Sequence, residues 1–159
     1  METYSILIGI GCIALIIAPI FLINLLRKRK KQKLYFKFQA QAKQNNGKIN
    51  EFEYWNSYAI GIDLQRGTVY YSSMLNKKEE IEKIDVSQIK NCKINNLRNL
   101  ETDTESLVLE FTFANNIPLN KKIEFYNSEY DGIAMHYEFK LAEKWLKTIT
   151  ICKELLNKK

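Results

Sequence analysis

Hydrophobic and polar positions fall into three regimes along the chain. In the first, Tyr4 to Leu26, there is no charged residue, and from Ser5 onward the strongly polar side chains are Ser5 and Asn24. A helix over this run would be roughly 33 Å long at 1.5 Å per residue, enough for a hydrocarbon core of about 30 Å. The pattern predicts a transmembrane helix at 4–26, because lipid offers no partners to backbone groups outside a helix. Arg27, Lys28, Arg29, Lys30, Lys31 and Lys33 follow at once, and such a block is retained on the cytoplasmic side of a membrane. The expected topology is a single pass in the cell (inner) membrane, with residues 1–3 outside and everything after Leu26 in the cytoplasm. A cleaved signal peptide fits less well. Glu2 with no Lys or Arg precedes the run, the run exceeds the usual apolar region of about 7–15 residues, and a basic cluster ends it. Within the run, Pro19 predicts a mild kink. Gly11, Ala14 and Ala18 share one face and are candidates for homodimerisation through close helix approach.

The second regime, 27–47, reads as a basic, helical juxtamembrane linker. Leu34, Phe38 and Ala42 recur at four-residue spacing, and Asn45-Asn46-Gly47 supplies a stop. Tyr35, Phe36 and Phe38 beside the basic block suit either an interfacial contact or packing on the following domain.

From Lys48 the period becomes two. Strands are expected at Ile49–Tyr54, Tyr58–Leu64, Thr68–Ser72, Ile81–Val86, Ile89–Ile94, Leu107–Phe113 and Lys122–Tyr126. The second carries Tyr58, Ile60, Ile62 and Leu64 on one face, and Gln65-Arg66-Gly67 turns it into the third with Gly at a positive φ. Polar loops are expected at Asn76–Glu80 and Asn95–Thr104, and Asn115–Pro118 closes the sixth strand. The helical period then returns: Tyr137, Leu141, Trp145, Ile149, Cys152 and Leu156 trace an apolar stripe, with Glu138, Lys140, Glu143, Lys144 and Lys147 outside it. That stripe should cap an open end of the sheet.

Seven short antiparallel strands followed by one long amphipathic helix is the order of a pleckstrin-homology-like (PH-like) barrel or sandwich. The run Trp55 to Asp63, the segment Glu124 to Asn127, and Leu141-Ala142-Glu143-Lys144-Trp145 resemble a group of uncharacterised bacterial single-pass membrane proteins with a PH-like, or GRAM-like, cytoplasmic domain. The resemblance implies an α+β fold over 48–159 and no catalytic residues, because the shared positions are core positions of strands and helix. Eukaryotic relatives of that fold often bind phosphoinositides through clustered Lys and Arg. Here Arg66, Lys77 and Lys78 would be the lipid or partner loop residues, with Lys77 and Lys78 offset by Glu79 and Glu80.

Charge sharpens the picture. The chain has 24 basic and 18 acidic side chains, a net charge of +6. Six of the basic ones lie in Arg27–Lys33, which leaves the remainder balanced. The excess therefore marks a juxtamembrane patch facing an anionic leaflet, and no nucleic-acid partner is called for. Cys12, Cys92 and Cys152 show no pairing or metal-ligand spacing, as in a reducing compartment. His136 is the one histidine, with no nucleophile at recognisable spacing. No phosphate-cradling loop, calcium loop or metal site is legible, so neither an enzyme nor a cofactor is expected. The sequence points to a membrane-tethered, non-enzymatic interaction module for a protein partner, or alternatively to a module that binds or senses anionic lipid.

Overall fold

The computed structural model describes the backbone of residues 2–75, 80–99, 103–113, 121–132 and 135–158, with side chains from Leu15 onward. It is an α+β structure of two helices and two antiparallel sheets. The chain divides into two compact units, Met1–Lys37 and Phe38–Lys159.

Helix α1 covers Glu2–Gln44 without interruption, with Pro19 inside it. In the first unit the apolar side chains Leu15, Ile16, Ile17, Ile20, Phe21, Leu22, Ile23 and Leu26 are exposed, Leu25 is half-buried, and Leu34, past the basic block, is buried. The exposed ones fall on every side of the helix, so no single stripe is set aside for a core. Among the described residues no helix is long and apolar enough to cross a membrane. The expected span starts at Tyr4, whereas the described side chains begin at Leu15, and Leu15–Leu26 alone is shorter than the roughly 20 residues a crossing needs. The helical linker expected at 27–47 is the continuation of α1 as far as Gln44.

The second unit starts with the last turns of α1. Phe38 meets Phe52 edge-to-face at 5.4 Å and lies 6.3 Å from the Tyr70 ring. A Cβ placed on Gly61 would come within 3.1 Å of the Phe38 ring, so the missing side chain on β2 is what admits the phenyl group. The folded unit thus takes in Phe38 to Gly47, which the sequence pattern assigns to the linker. The helix ends where Gly47 N–H donates to Ala42 O at 2.8 Å and Asn46 takes a positive φ of 53°, a conformation Asn tolerates. Buried Asp63 then accepts from the N–H groups of Lys48 (2.9 Å), Gln65 and Arg66 (both 3.0 Å). One carboxylate so ties the helix exit to the β2–β3 turn.

The first sheet has the order β1 (Glu51–Trp55), β2 (Tyr58–Asp63), β3 (Thr68–Ser73), β4 (Glu82–Asp85), and the second β5 (Ile89–Asn99), β6 (Thr104–Phe113), β7 (Lys121–Asn127). A 3-10 turn, Val86–Gln88, joins them, started by the Asp85 carboxylate accepting from Ser87 N–H at 2.9 Å. No ladder links the two sheets, so the described strands form no closed barrel. Every residue of β2 is buried. Its inner face, Tyr58, Ile60 and Ile62, lies in the core, as its alternation predicts. Its outer face, Ala59, Gly61 and Asp63, is buried as well, and Phe38 packs against Gly61 there. The polar stretch Asn95–Thr104, expected as a loop, keeps strand geometry up to Asn99 and again from Thr104, because Asn95 to Asn99 pair with Val108 to Thr104. Cross-strand pairing outweighs the poor strand propensity of Asn here.

Helix α2 (His136–Asn157) closes the core with Leu141, Ala142, Trp145, Ile149 and Cys152. Two positions depart from the expected stripe. Tyr137 is 58% exposed, and Glu138 is 7% exposed, accepting from Asn56 Nδ2 at 3.1 Å. Glu138 lies three residues before Leu141 and seven before Trp145, so helical phase puts it over the buried face, where Asn56 satisfies Oε1 while Oε2 has no hydrogen-bond partner among the described residues. Phe38→Ala should lower unfolding stability by about 3–5 kcal/mol, while Phe36→Ala, at a side chain 68% exposed, should change it by less than about 0.5 kcal/mol. Urea unfolding of both variants in detergent, followed by Trp fluorescence, checks the pair.

Candidate functional site

Where the two sheets face each other, aromatic side chains of the first close on one short segment of β7. Between Leu107 and Val108 the β6–β7 register shifts: Leu107 pairs with Tyr126 and Val108 with Glu124, leaving Phe125 as the extra residue of a bulge. A bulge frees backbone groups from the ladder. Phe125 O accepts from Trp55 Nε1 at 2.8 Å, and Glu124 O accepts from the Tyr71 hydroxyl at 3.1 Å. The Trp55 and Phe125 rings stack at 4.9 Å with 16° between planes, and the Tyr58 ring stacks on Trp55 at 5.7 Å. The Glu124 side chain completes the seam, with Oε2 accepting from the Tyr58 hydroxyl (3.1 Å) and Oε1 from Asn127 Nδ2 (3.0 Å).

Burial first, and the Glu124 charge second, push the Tyr58 and Tyr71 hydroxyls well above the ordinary tyrosine range. Both therefore stay protonated donors at neutral pH, which is the form the seam uses. Their phenols stabilise structure; they are not poised to give up a proton. Burial likewise pushes the Cys92 thiol up to about 12, against the opposing charge of Lys153, so it is no ready nucleophile. His136 is exposed at the first turn of α2. Among the described residues no group of His, Cys, Asp and Glu could hold a metal ion.

A cavity of about 480 Å³ opens beside Tyr126, lined by Arg98, Asp103, Glu105, Ser128 and Gly132. Its one cation, Arg98, is held by Asp103 at 2.8 Å. Ser128 Oγ accepts from Glu105 N–H at 2.9 Å, and the Tyr126 hydroxyl donates to Gly132 O. With Asp103 and Glu105 beside Arg98, the described lining carries more acidic than basic groups, which does not suit an anionic headgroup.

The residues singled out from the sequence are distributed as follows. Arg27, Lys28, Arg29, Lys30, Lys31 and Lys33 are all exposed on α1. Arg66 is exposed in the β2–β3 turn, where its N–H donates to Asp63. Beside it, Gly67 takes a φ of +62° and lies against Leu156 near the end of α2. Lys77 and Lys78 lie outside the described residues. The chain leaves β3 at Ser73, about 20 Å of extended strand from the Arg66 end, so the fold does not draw Arg66 toward the start of that loop. Ala18 is exposed on α1; the side chains at 11 and 14 lie outside the described ones. Sequence reasoning does not single out the seam: nothing in the pattern links Trp55, Tyr58 and Glu124 to one another. Pairing them across two sheets needs the bulge at Phe125, which leaves no local sequence mark. In comparisons with known proteins, no family model, no curated protein and no solved structure matches the chain.

Because both tyrosines titrate higher when folded than when unfolded, the stabilisation they confer is complete below the ordinary tyrosine range near pH 10 and is lost as the pH rises above it. Thermal unfolding measured from pH 8 to 11.5 should show Tm falling above about pH 10, with a shallower fall in Tyr71→Phe. Glu124→Ala, which leaves the Tyr58 hydroxyl without its acceptor, should cost about 1–3 kcal/mol, and Tyr58→Phe in the same background should recover part of that loss in urea unfolding.

Proposed function

We propose that the chain is a single-pass, membrane-tethered and non-enzymatic interaction module, presenting a PH-like domain on the cytoplasmic side of the cell membrane. The observation that carries this reading is the sharp change on α1. Exposed apolar side chains surround the helix from Leu15 to Leu26, and six exposed basic side chains begin at Arg27. In water such a surface would be a continuous apolar patch; in a bilayer it is an ordinary span, with Ser5–Ala14 of the sequence supplying the rest of its length. The basic segment then sits at the level of lipid phosphates, where each Lys or Arg contributes about 1 kcal/mol against an anionic leaflet.

The folded unit supports the interaction half of the reading. Asp63 and the seam groups serve the fold, and burial keeps the Tyr58 and Tyr71 hydroxyls and the Cys92 thiol protonated. What it offers a partner is surface, and a tether raises the local concentration of that surface without any new contact. The basic segment favours lipid contact as an added role of the linker.

Alkaline carbonate should leave the full chain in the membrane pellet, and release into the supernatant would refute the tether. Replacing the six basic residues with Glu should scramble the orientation, read as loss of protection of a cysteine introduced at Lys147 from an impermeant thiol reagent added outside the cell. Crosslinking in native membranes through the second unit should capture a discrete protein, and capture of lipid alone would favour the lipid-binding alternative.

A further inference from the structure

Strand β5, with 11 residues, is the longest described strand and an edge strand, paired with β6 alone. Its free edge is not uniform. The Cys92 N–H is taken by Asn91 Oδ1 at 2.9 Å, so it points away from β6. Ladder bonds alternate from residue to residue, which turns the N–H and C=O of Ile94, Asn96 and Arg98 the same way. Near the start of the strand, Lys153 Nζ on α2 donates to Lys90 O at 2.8 Å. The chain's own side chains thus occupy the edge through Cys92, and from Ile94 to Arg98 the described hydrogen bonds give its outward backbone groups no partner.

Charge along the edge has one sign. Between Ile89 and Asn99 the strand carries Lys90, Lys93 and Arg98 and no acidic residue, with Lys153 beside it. Lys93 lies 3.5 Å from Glu110 and Arg98 2.8 Å from Asp103, but the Lys93 and Arg98 side chains are 56% and 60% exposed. Ion pairs that wet are weak and exchange readily for another carboxylate. Cys92 and Ile94, on the inner face of the strand, are only partly buried against the core, and an added strand would cover them.

We propose that the β5 edge from Ile94 to Arg98 binds an extended acidic segment of a partner protein, which adds to the sheet as a further strand. The inference rests on reading the folded unit as an interaction module and names the chemistry of its partner. Backbone bonds to a sheet edge supply affinity with little sequence demand, and flanking side chains select among candidates. Lys and Arg on an edge guard against fortuitous pairing. They repel a second copy of the same edge, whose antiparallel approach about Ile94 sets Lys90 against Arg98, and they attract a strand bearing carboxylates.

The test uses the full chain in nanodiscs of zwitterionic lipid, two synthetic peptides, one alternating Glu with Val and one alternating Lys with Val, and amide hydrogen exchange read by NMR. The Glu peptide should slow exchange at the Ile94, Asn96 and Arg98 amides by about tenfold or more, and the Lys peptide should leave them unchanged. Asn96→Pro removes the central outward donor without touching the ladder to β6. It should abolish the effect while core amides such as Leu109 keep their protection. Lys90→Glu with Arg98→Glu should reverse the preference between the peptides. No slowing with the Glu peptide, equal slowing with both peptides, or slowing without peptide as the chain self-associates would each overturn the proposal. Carbonate extraction separates the two readings: a chain that inserts yet ignores the peptide refutes the edge site alone, and one that binds the peptide yet extracts refutes the tether alone.

Discussion

The grip of Trp55 on the bulged segment of β7 is the constraint on which the folded unit depends. Two sheets that share no ladder must be held by side chains. Here a buried indole donates to Phe125 O while its ring stacks on the Phe125 side chain. Tyr71 and Tyr58 add one bond each, to the Glu124 backbone and carboxylate. The bulge makes this arrangement self-consistent. Carbonyls released from a ladder in the core would be a liability of about 1–3 kcal/mol each if left bare, and the aromatic donors that satisfy them are the groups whose stacking holds the sheets together. Removing either partner exposes the other, so the seam is stable as a set.

A second constraint acts on the outer side of the first sheet. Because β2 is buried on both faces, the last turns of α1 belong to the domain as well as to the helix that leads into it. Phe38 fits because position 61 has no side chain, and Gly47 fits because a Cβ there would meet the Asp63 carboxylate at 2.1 Å. Asp63 in turn organises the helix exit and the β2–β3 turn with three backbone donors. The last turns of α1, from Phe38, are therefore part of the packed unit.

These constraints account for where polar chemistry is and is not available. Among the interior groups, Asp63 holds backbone donors, and burial keeps the Tyr58 and Tyr71 hydroxyls and the Cys92 thiol protonated. At the periphery lie the basic segment of α1 and the edge strand β5, whose own charged residues are all basic.

The sequence by itself determined the features that depend on local period and composition: the apolar run with its basic flank, the seven strands, and the amphipathic helix carrying Trp145. It determined the charge balance as well, since counting needs no coordinates. It misjudged Asn95–Thr104, where pairing with β6 overrides propensity, and it exchanged Tyr137 with Glu138, whose carboxylate helical phase carries over the core beside Asn56. Tertiary structure alone decided that Phe38 packs on Gly61 and that Trp55 finds Phe125 across a bulge. Each of these joins residues far apart in the chain, and the energy that selects them comes from contacts that exist only once both sheets are in place.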